Sequence, residues 1–225
     1  MTKLVWDQTG SRKYETGCDH GVLFPADTSK NANKIYGTGV AWNGLTSVTE
    51  SPDGAEANDI YADNIKYGSI RSAETFGGTI EAYTYPDEFA ACDGSAEPVK
   101  GVRIGQQSRK PFGLVYRTLI GNDTPTEEDD GYIIHIVYNA TASPSEKQYE
   151  TVNDSPEAIT FSWEFETTPT NVAGFKPTSL ITVDSTKIET ATLTKLESKL
   201  FGSDDSEPEL PTPDEVLTLL GYAAG

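Results

Sequence analysis

Two adjacent carboxylates, Asp87 and Glu88, stand where the pattern of the chain changes, in the segment TIEAYTYPDEFAACDG (79–94). Glycoside hydrolases use a pair of carboxylates that the enzyme holds roughly 5–9 Å apart. Asp87 with Glu164 is one candidate pair, but the sequence fixes no separation between any two acids. Acidic residues are also favoured at the positive end of a helix dipole. A helix start is therefore a sufficient explanation for Asp87 and Glu88.

The same segment contains the other parts of a short helix over residues 86–93. Thr84 or Asp87 is predicted to cap its first turn, and Gly94 suits the position just after its end. Phe89 and Cys92 lie three residues apart, so they share one helix face that can pack on a sheet. The segment is typical of a flanking helix rather than of a catalytic loop.

Motifs for metal ions and nucleophiles are weak elsewhere in the chain. Cys18 and His20 are close in sequence, but the chain has no CxxC or HExxH spacing and no G-x-S-x-G motif. We therefore expect the protein to bind no metal or cofactor and to have no enzymatic activity. Alternation within YIIHIVY puts His135 on the opposite sheet face from its apolar neighbours. The loop 122–131 offers oxygen ligands for calcium without EF-hand spacing, and a solvated hairpin loop is the preferred interpretation. Its acids are Asp123, Glu127, Glu128, Asp129 and Asp130.

The charge of the chain argues against a sequence-reading nucleic-acid binder. The 225 residues include 17 Lys and Arg against 35 Asp and Glu, a net charge of −18. Such a surface repels the phosphates that a binder must neutralise. A protein that lets DNA slide past without sticking has this composition, as do many acidic proteins. We find no apolar export signal and no membrane-spanning stretch, so we expect cytosolic synthesis and two free cysteines, Cys18 and Cys92.

Strand patterns dominate the elements that must position these residues. β-Branched and aromatic runs bounded by turn residues predict strands at 40–49, 111–120, 131–141, 158–168 and 178–184. SPDGAE (51–56) has turn chemistry, and Gly77 with Gly78 predicts a bulge or bend in the strand before Tyr83. Six to eight strands with few helices predict a mainly β fold, a sandwich or barrel.

Two helices are predicted near the end of the chain, at 189–202 and 212–223. Leu193, Leu196 and Leu200 recur at helical spacing in the first, and Thr212 with Glu215 forms a capping box in the second. The polar segment SDDSEPELP (203–211) between them is predicted to be a flexible linker. The apolar VLTLL that follows is either a tethered docking segment or a terminal helix folded on its own domain, and the sequence favours neither.

One predicted strand has a strictly two-sided pattern. In FSWEFE, Phe161, Trp163 and Phe165 alternate with Ser162, Glu164 and Glu166, and Glu81 alternates with Ile80 and Ala82 in the strand of TIEAYTY. Like charges directly across strands are destabilising, so converging acids need a reason. In an isolated domain these acids are a solvated surface, whereas a ring of subunits gathers them around an aqueous lumen.

The chain resembles the major tail tube proteins of long, non-contractile-tailed phages of Gram-positive bacteria. The likeness covers residues 36–222. The order of TYPDEFA, FGLVYRT, NDSPEA and KPTSLI carries it, with LESKLFG and LPTPDEVLTLL at the end. The resemblance implies a β-sandwich of two roughly orthogonal antiparallel sheets with a flanking helix. It also implies hexameric rings whose sheets join into a continuous barrel, stacked into a tube that conducts the genome. No catalytic centre is implied.

The resemblance also implies partners and a division of the chain. The partners are other copies of the chain, tail tip and tail terminator proteins, and the tape measure protein and genomic DNA that pass through the lumen. The protein then belongs to the virion tail and is made in the host cytoplasm. We divide the chain into an N-terminal arm (1–35), the tube domain (36–202) and an acidic linker with a terminal helix (203–225).

Three acids are predicted to face the lumen: Glu81, Glu164 and Glu166. Ring stacking is assigned to the hairpin 49–59, the N-terminal segment and the C-terminal helix. The residues concerned are Glu50, Asp53, Glu56, Val216, Leu217 and Leu220. Two other classes stay open: a secreted adhesin or carbohydrate-binding module, which needs an export signal and exposed aromatic platforms, and a glycosidase, which needs two convergent carboxylates in a cleft.

Overall fold

The computed structural model describes residues 3–27, 35–124, 130–151 and 158–222. Strands form most of its regular structure. They are β1 (Tyr14–Pro25), β2 (Val40–Ala41), β3 (Leu45–Gly54), β4 (Ala57–Ala62), β5 (Ile65–Arg71), β6 (Glu74–Ala82), β7 (Ala96–Val99), β8 (Val102–Ile104), β9 (Phe112–Gly121), β10 (Gly131–Ala142), β11 (Phe161–Thr167) and β12 (Leu180–Asp184). Two 3₁₀ turns (Asp87–Ala91 and Ser185–Lys187) and the helices α1 (Thr190–Phe201) and α2 (Pro213–Leu219) complete the described elements.

Eight strands form one antiparallel sheet that folds over on itself. Its order is β2–β1–β9–β10–β11–β6–β3, and β12 pairs with β10 beside this path. Side chains from β1 and β9 meet those from β6 and β11 in one buried cluster, so the two ends of the sheet face each other as layers. The mainly β, antiparallel sandwich predicted from the sequence is confirmed.

β10 carries the chain from one layer to the other. Ile133 to Val137 pair with β12, whereas Ala140 to Ala142 pair with β11. The register to β9 shifts between these two parts, and Asn139 has a positive φ of 51° there. Irregularities of this kind bend a strand at the corner of a sandwich.

Aromatic side chains fill the space between the layers. Trp42, Phe89 and Trp163 contact one another, with Trp163 and Phe89 fully buried. Phe161 and Phe165 turn to the same side as Trp163, as their alternation predicts. The exposed Glu164 and Glu166 lie on the opposite side of β11.

A second cluster lies on the other face of β9 and β10, beneath the two helices. Leu193, Leu196 and Leu200 of α1 are buried there, which confirms the prediction from their spacing. Val216 of α2 is fully buried in the same cluster. The centre of the sheet is therefore covered on both faces, which explains why residues Phe112 to Tyr116 form a continuous apolar run.

The segment between the helices is docked on the sheet, contrary to the flexible linker that its composition predicts. The amide of Gly39 donates to the carbonyl of Pro208, and the amide of Glu209 donates to Lys199. Tyr138 donates its hydroxyl to the carbonyl of Pro211. The prediction failed because Leu210 and the prolines supply apolar contacts that a count of polar residues hides.

The turn at Asp87–Ala91 corrects the helix predicted over 86–93. It is a single 3₁₀ turn that begins after Pro86, and neither Thr84 nor Asp87 caps it with a side chain. Proline at the first position has no side-chain acceptor, so the turn is closed by backbone bonds such as Phe89 N to Pro86 O, 3.0 Å. Phe89 and Cys92 are fully buried as predicted.

Two hairpins extend from the sandwich. The first, which we call the arm, consists of β4 and β5 (Ala57–Arg71) and continues β3 and β6 outwards. The second, which we call the finger, consists of β7 and β8 (Ala96–Ile104). The turn predicted at SPDGAE is wrong. The chain reverses at Asp63–Asn64, whose φ values of 50° and 63° suit a two-residue hairpin turn.

The predicted N-terminal arm contains a strand of the main sheet. β1 pairs with β9 from Tyr14 to Pro25 and with β2 at Val22 and Leu23. Positive φ values at Gly17 and His20 and two register shifts interrupt its alternation, which hides the strand in the sequence. Residues 28–34 lie outside the described residues.

Candidate functional site

The three acids predicted to face a lumen lie on one face of the sheet. Glu81 is on β6, and Glu164 and Glu166 are on β11. Antiparallel pairing aligns Ser162 with Glu81, Glu164 with Thr79 and Glu166 with Gly77. Because directly paired residues share a face, all three carboxylates lie on the side away from Trp163.

The pairing keeps these acids from facing one another directly. Each acid is paired with Ser, Thr or Gly, and Ser47 of β3 donates to Glu81 Oε2 at 2.8 Å. On the side of Glu81, the strands β3, β6 and β11 carry four acids and no Lys or Arg, whereas Glu50 and Glu74 alternate to the other side; the four are Glu81, Glu164, Glu166 and Asp53. The acidic strand face, as we call the outward side of β3, β6 and β11, is therefore negative without direct cross-strand repulsion.

A shallow cavity of about 640 Å³ opens on the acidic strand face. Glu164, Glu166 and Asp53 line it together with Gly77 and Gly78. No register shift occurs at the two glycines, so the predicted bulge is wrong. A Cβ on Gly78 would lie 2.2 Å from the carbonyl oxygen of Thr49, so glycine is required for close strand approach.

Glu50 lies in β3 and not in a loop, and its carboxylate is bound within its own subunit. It accepts a 2.5 Å hydrogen bond from the hydroxyl of Tyr116, and Nδ1 of His135 lies 3.0 Å away. His135 stacks on Tyr116 with ring centres 4.7 Å apart. The hydrogen bond with His135 lowers the pKa of Glu50, and burial raises the pKa of Tyr116. Glu50 joins the base of the arm to β9 and β10.

The other predicted stacking acids mark where the arm leaves the sandwich. Asp53 is exposed near the end of β3, and the exposed Glu56 precedes β4. The arm beyond them has solvent on both faces, with only Ala62 and Gly68 partly buried. Its exposed apolar residues are Ile60, Tyr61, Ile65, Tyr67 and Ile70. The sequence analysis missed them, although the ADN turn between two short apolar runs was the signal for this hairpin.

The C-terminal candidates separate into one buried and two partly buried residues. Val216 is fully buried against the sheet of its own subunit, so it offers no surface to another ring. Leu217 and Leu220 are partly buried. Thr212 and Glu215 form the predicted capping box, with the Thr212 amide 2.9 Å from Glu215 Oε2. Of the two interpretations of VLTLL, the structure shows the helix folded on its own domain.

The two carboxylates considered for catalysis lie on separate elements, Asp87 in a 3₁₀ turn and Glu164 in β11. Asp87 is paired with Arg103 at 2.6 Å, and no hydrogen bond between described residues links it to Glu164. No group of three or more His, Cys, Asp or Glu arranged to hold a metal occurs in the described parts of the chain. Glu127, Glu128 and Asp129 of the suggested calcium loop lie outside the described residues.

Other polar clusters tie structural elements together. Arg117 binds Asp19 through two hydrogen bonds of 2.8 and 2.9 Å, which lowers the pKa of Asp19. The guanidinium also lies 4.6 Å from the ring centre of Tyr132, whose hydroxyl donates to Glu197. These contacts connect β1, β9, β10 and α1. Both cysteines are free, and burial raises the pKa of Cys18 to about 11 and of Cys92 to about 12.

Exposed apolar residues also occur near the N-terminus and in the finger. Leu4, Val5 and Trp6 are exposed, while Gly10 and Arg12 contact Asp123. Among the described residues, no helix is long and apolar enough to cross a membrane.

The described residues form an antiparallel sandwich with an acidic strand face and two hairpins that expose apolar side chains. A family model described as phage tail tube protein matches residues 3–202. The chain therefore belongs to the phage tail tube protein family, as its motifs indicate. The match begins well before residue 36 and includes β1. No curated protein matches the chain.

The family defines the general role of the protein. It is a structural component of the virion tail and assembles with copies of itself into the tail tube. A structural family of this kind suggests a non-enzymatic role.

Proposed function

We propose that the protein forms hexameric rings, stacked into a tube whose acidic lumen conducts the DNA genome into the host cell. The observation that carries this proposal is the acidic strand face, where Glu81, Glu164 and Glu166 share one side of a sheet segment without Lys or Arg. Negative side chains on the wall keep DNA from adhering, over a distance of about 8 Å at physiological salt. DNA and the tape measure protein then pass without sequence-specific contacts.

Unpaired strand edges support the ring. β3 ends the path of the main sheet, so one side of its backbone pairs with no described strand of the same subunit. An exposed edge is a template for pairing with another chain, and closing the sheets of six subunits into a barrel removes such edges. Heterologous contacts that close give a ring of defined size. Tail tip and terminator proteins would then cover the two ends of the tube.

Stacking of the rings uses the arm. Asp53 and Glu56 lie at its base, and its apolar side chains project beyond the sandwich. A two-stranded hairpin is marginally stable in water by itself, so contact with the next ring supplies the packing that the subunit lacks. Leu217 and Leu220 remain candidates for a smaller contact. In this proposal the protein is synthesised in the host cytoplasm before it assembles.

The test is a charge reversal on the acidic strand face. Phage carrying lysine at Glu81, Glu164 and Glu166 should assemble tails but eject DNA more slowly or retain it, because lysines bind phosphates. The matched control places lysine at Asp204, Asp205 and Glu150, which are exposed outside β3, β6 and β11. Unchanged ejection in the first variant, with normal tubes in electron micrographs, would contradict an acidic lumen at this face.

A further inference from the structure

The finger does not pack against the sandwich over most of its length. Residues 96–108 are exposed, and Val99, Val102 and Ile104 have exposed fractions of 66%, 52% and 51%. Val99 and Val102 are directly paired across its two strands. Arg103 fastens the finger to the body through Asp87 and the hydroxyl of Tyr85. Three apolar side chains are therefore exposed together on a short hairpin, a feature that is common at interaction surfaces.

Charge distinguishes the finger from the rest of the chain. The finger contains Lys100 and Arg103 against one acid, Glu97, so it is net positive in a protein whose net charge is −18. Lys100, at the turn of the finger, forms no ion pair with any described residue. The surface therefore combines β-branched side chains with positive charge. Its complement is an acidic strand that also exposes apolar side chains.

The β3–β4 side of the arm has that complementary composition. Residues 45–65, which run along β3 and β4 to the tip, contain five acids and no Lys or Arg, whereas Lys66 and Arg71 belong to β5. Glu50 is bound to Tyr116 and His135, and Asp59 is paired with Lys66, which leaves Asp53, Glu56 and Asp63 for contacts with another copy. The same stretch exposes Ile60, Tyr61 and Ile65. Within one subunit, no hydrogen bond or ion pair between described residues joins the finger to the arm.

We propose that the finger of one subunit docks on the β3–β4 side of the arm of a second copy. This inference rests on the proposed tube assembly and adds a specific pair of surfaces to it. The contact is heterologous, because it uses two different surfaces of the same chain. Opposite charges set the partner and the orientation, and the apolar side chains supply the buried area.

Two double variants test the pairing. The finger variant carries Val99→Ser and Val102→Ser, and the arm variant carries Ile60→Ser and Tyr61→Ser. All four side chains are exposed, so circular dichroism should remain that of the wild type. Each variant alone should need about tenfold more protein to associate in analytical ultracentrifugation, the usual effect of losing an interface anchor.

The mixture of the two variants is the decisive measurement. The finger variant keeps an intact arm, and the arm variant keeps an intact finger, so a mixture contains one productive contact and should form heterodimers that do not extend. Raising the salt concentration should weaken these heterodimers. A mixture that associates no better than the separate variants would overturn the pairing, as would a finger variant that assembles like the wild type.

The wild-type protein separates this inference from the proposed function. If wild-type protein forms stacked rings with a tail-tip fraction and the finger variant does so equally, the tube function stands and the finger contact is refuted. If the wild-type protein forms no rings under those conditions, the proposed function fails, whereas heterodimers in the mixture would still support the finger–arm contact.

Discussion

Gly78 is the position where one added methyl group tests the packing beneath the acidic strand face. It lies in the centre of β6 between β3 and β11. An ideal Cβ built there would be 2.2 Å from the Thr49 carbonyl oxygen and 2.9 Å from Cζ of Phe165. We therefore expect Gly78→Ala to destabilise the fold.

The expected magnitude follows from these distances. Ordinary contact begins near 3.4 Å, so β3 or β6 must move by about 1 Å. Overpacking of this kind costs about 1–3 kcal/mol, and the smaller entropy of the unfolded alanine chain offsets up to about 1 kcal/mol. The closest neighbour is a backbone oxygen that cannot rotate away, which puts the cost at the upper end, so we expect a net loss of about 2 kcal/mol. The melting temperature should fall by about 4–8 °C.

Urea unfolding followed by tryptophan fluorescence measures this change, because Trp42 and Trp163 are buried in the same core. Gly68→Ala is the matched control: Gly68 is also in a strand, and its added Cβ meets no atom within 4 Å. The control should be neutral or slightly stabilising. Equal unfolding midpoints for the two variants would refute the close approach of β3 and β6 at Gly78.

Three further predictions concern groups outside the acidic strand face. Glu50→Gln should lower the stability at neutral pH and flatten the acid side of a plot of stability against pH. The pKa of Glu50 is lowered in the folded protein, so its contribution to stability is present above the unfolded pKa of about 4.3 and is lost as the pH falls through the folded pKa. A variant whose stability falls with acid as the wild type does would contradict this role of Glu50. Val216→Ala should cost about 1.5–3 kcal/mol in urea unfolding, whereas Leu217→Ala should cost less; the reverse order would contradict the docked helix. Cys92 should react with a thiol reagent only after unfolding, because it is fully buried and its pKa is raised to about 12. Mass spectrometry locates the labelled residue, and rapid labelling of Cys92 in the native protein would count against this burial.

The sequence predicted those parts of the fold whose side chains find their partners inside the subunit. The alternation of Phe161, Trp163 and Phe165 with acids identified β11 and its outward face, and the leucine spacing identified α1. The capping box of α2 was also predictable because it is local. These signals depend on short-range periodicity, which a single sequence records directly.

The failures have separate physical causes. β1 was missed because positive φ values at Gly17 and His20 and two register shifts break its period of two. Pro52 and Gly54 have turn chemistry, yet the strand pairing carries β3 past Pro52 to Gly54. Gly77 and Gly78 were predicted to produce a bulge or bend within the strand, whereas they permit neighbouring backbones to approach without a register shift. In each case long-range pairing overrode a local preference, which a single sequence does not record.

The prediction of burial failed for the exposed apolar residues of the arm and finger for a different reason, and that reason supports assembly of the subunits. Burial rules assign Tyr67 or Val99 to a core, yet these side chains are 77% and 66% exposed in one subunit. Scattered exposed apolar residues are ordinary on a protein surface, but here they cluster on two hairpins that pack little against the body. A subunit that assembles leaves part of its hydrophobic core to be completed by its neighbours. The positions of the exposed apolar residues therefore indicate where subunits contact one another. The mixture of finger and arm variants tests these contacts directly.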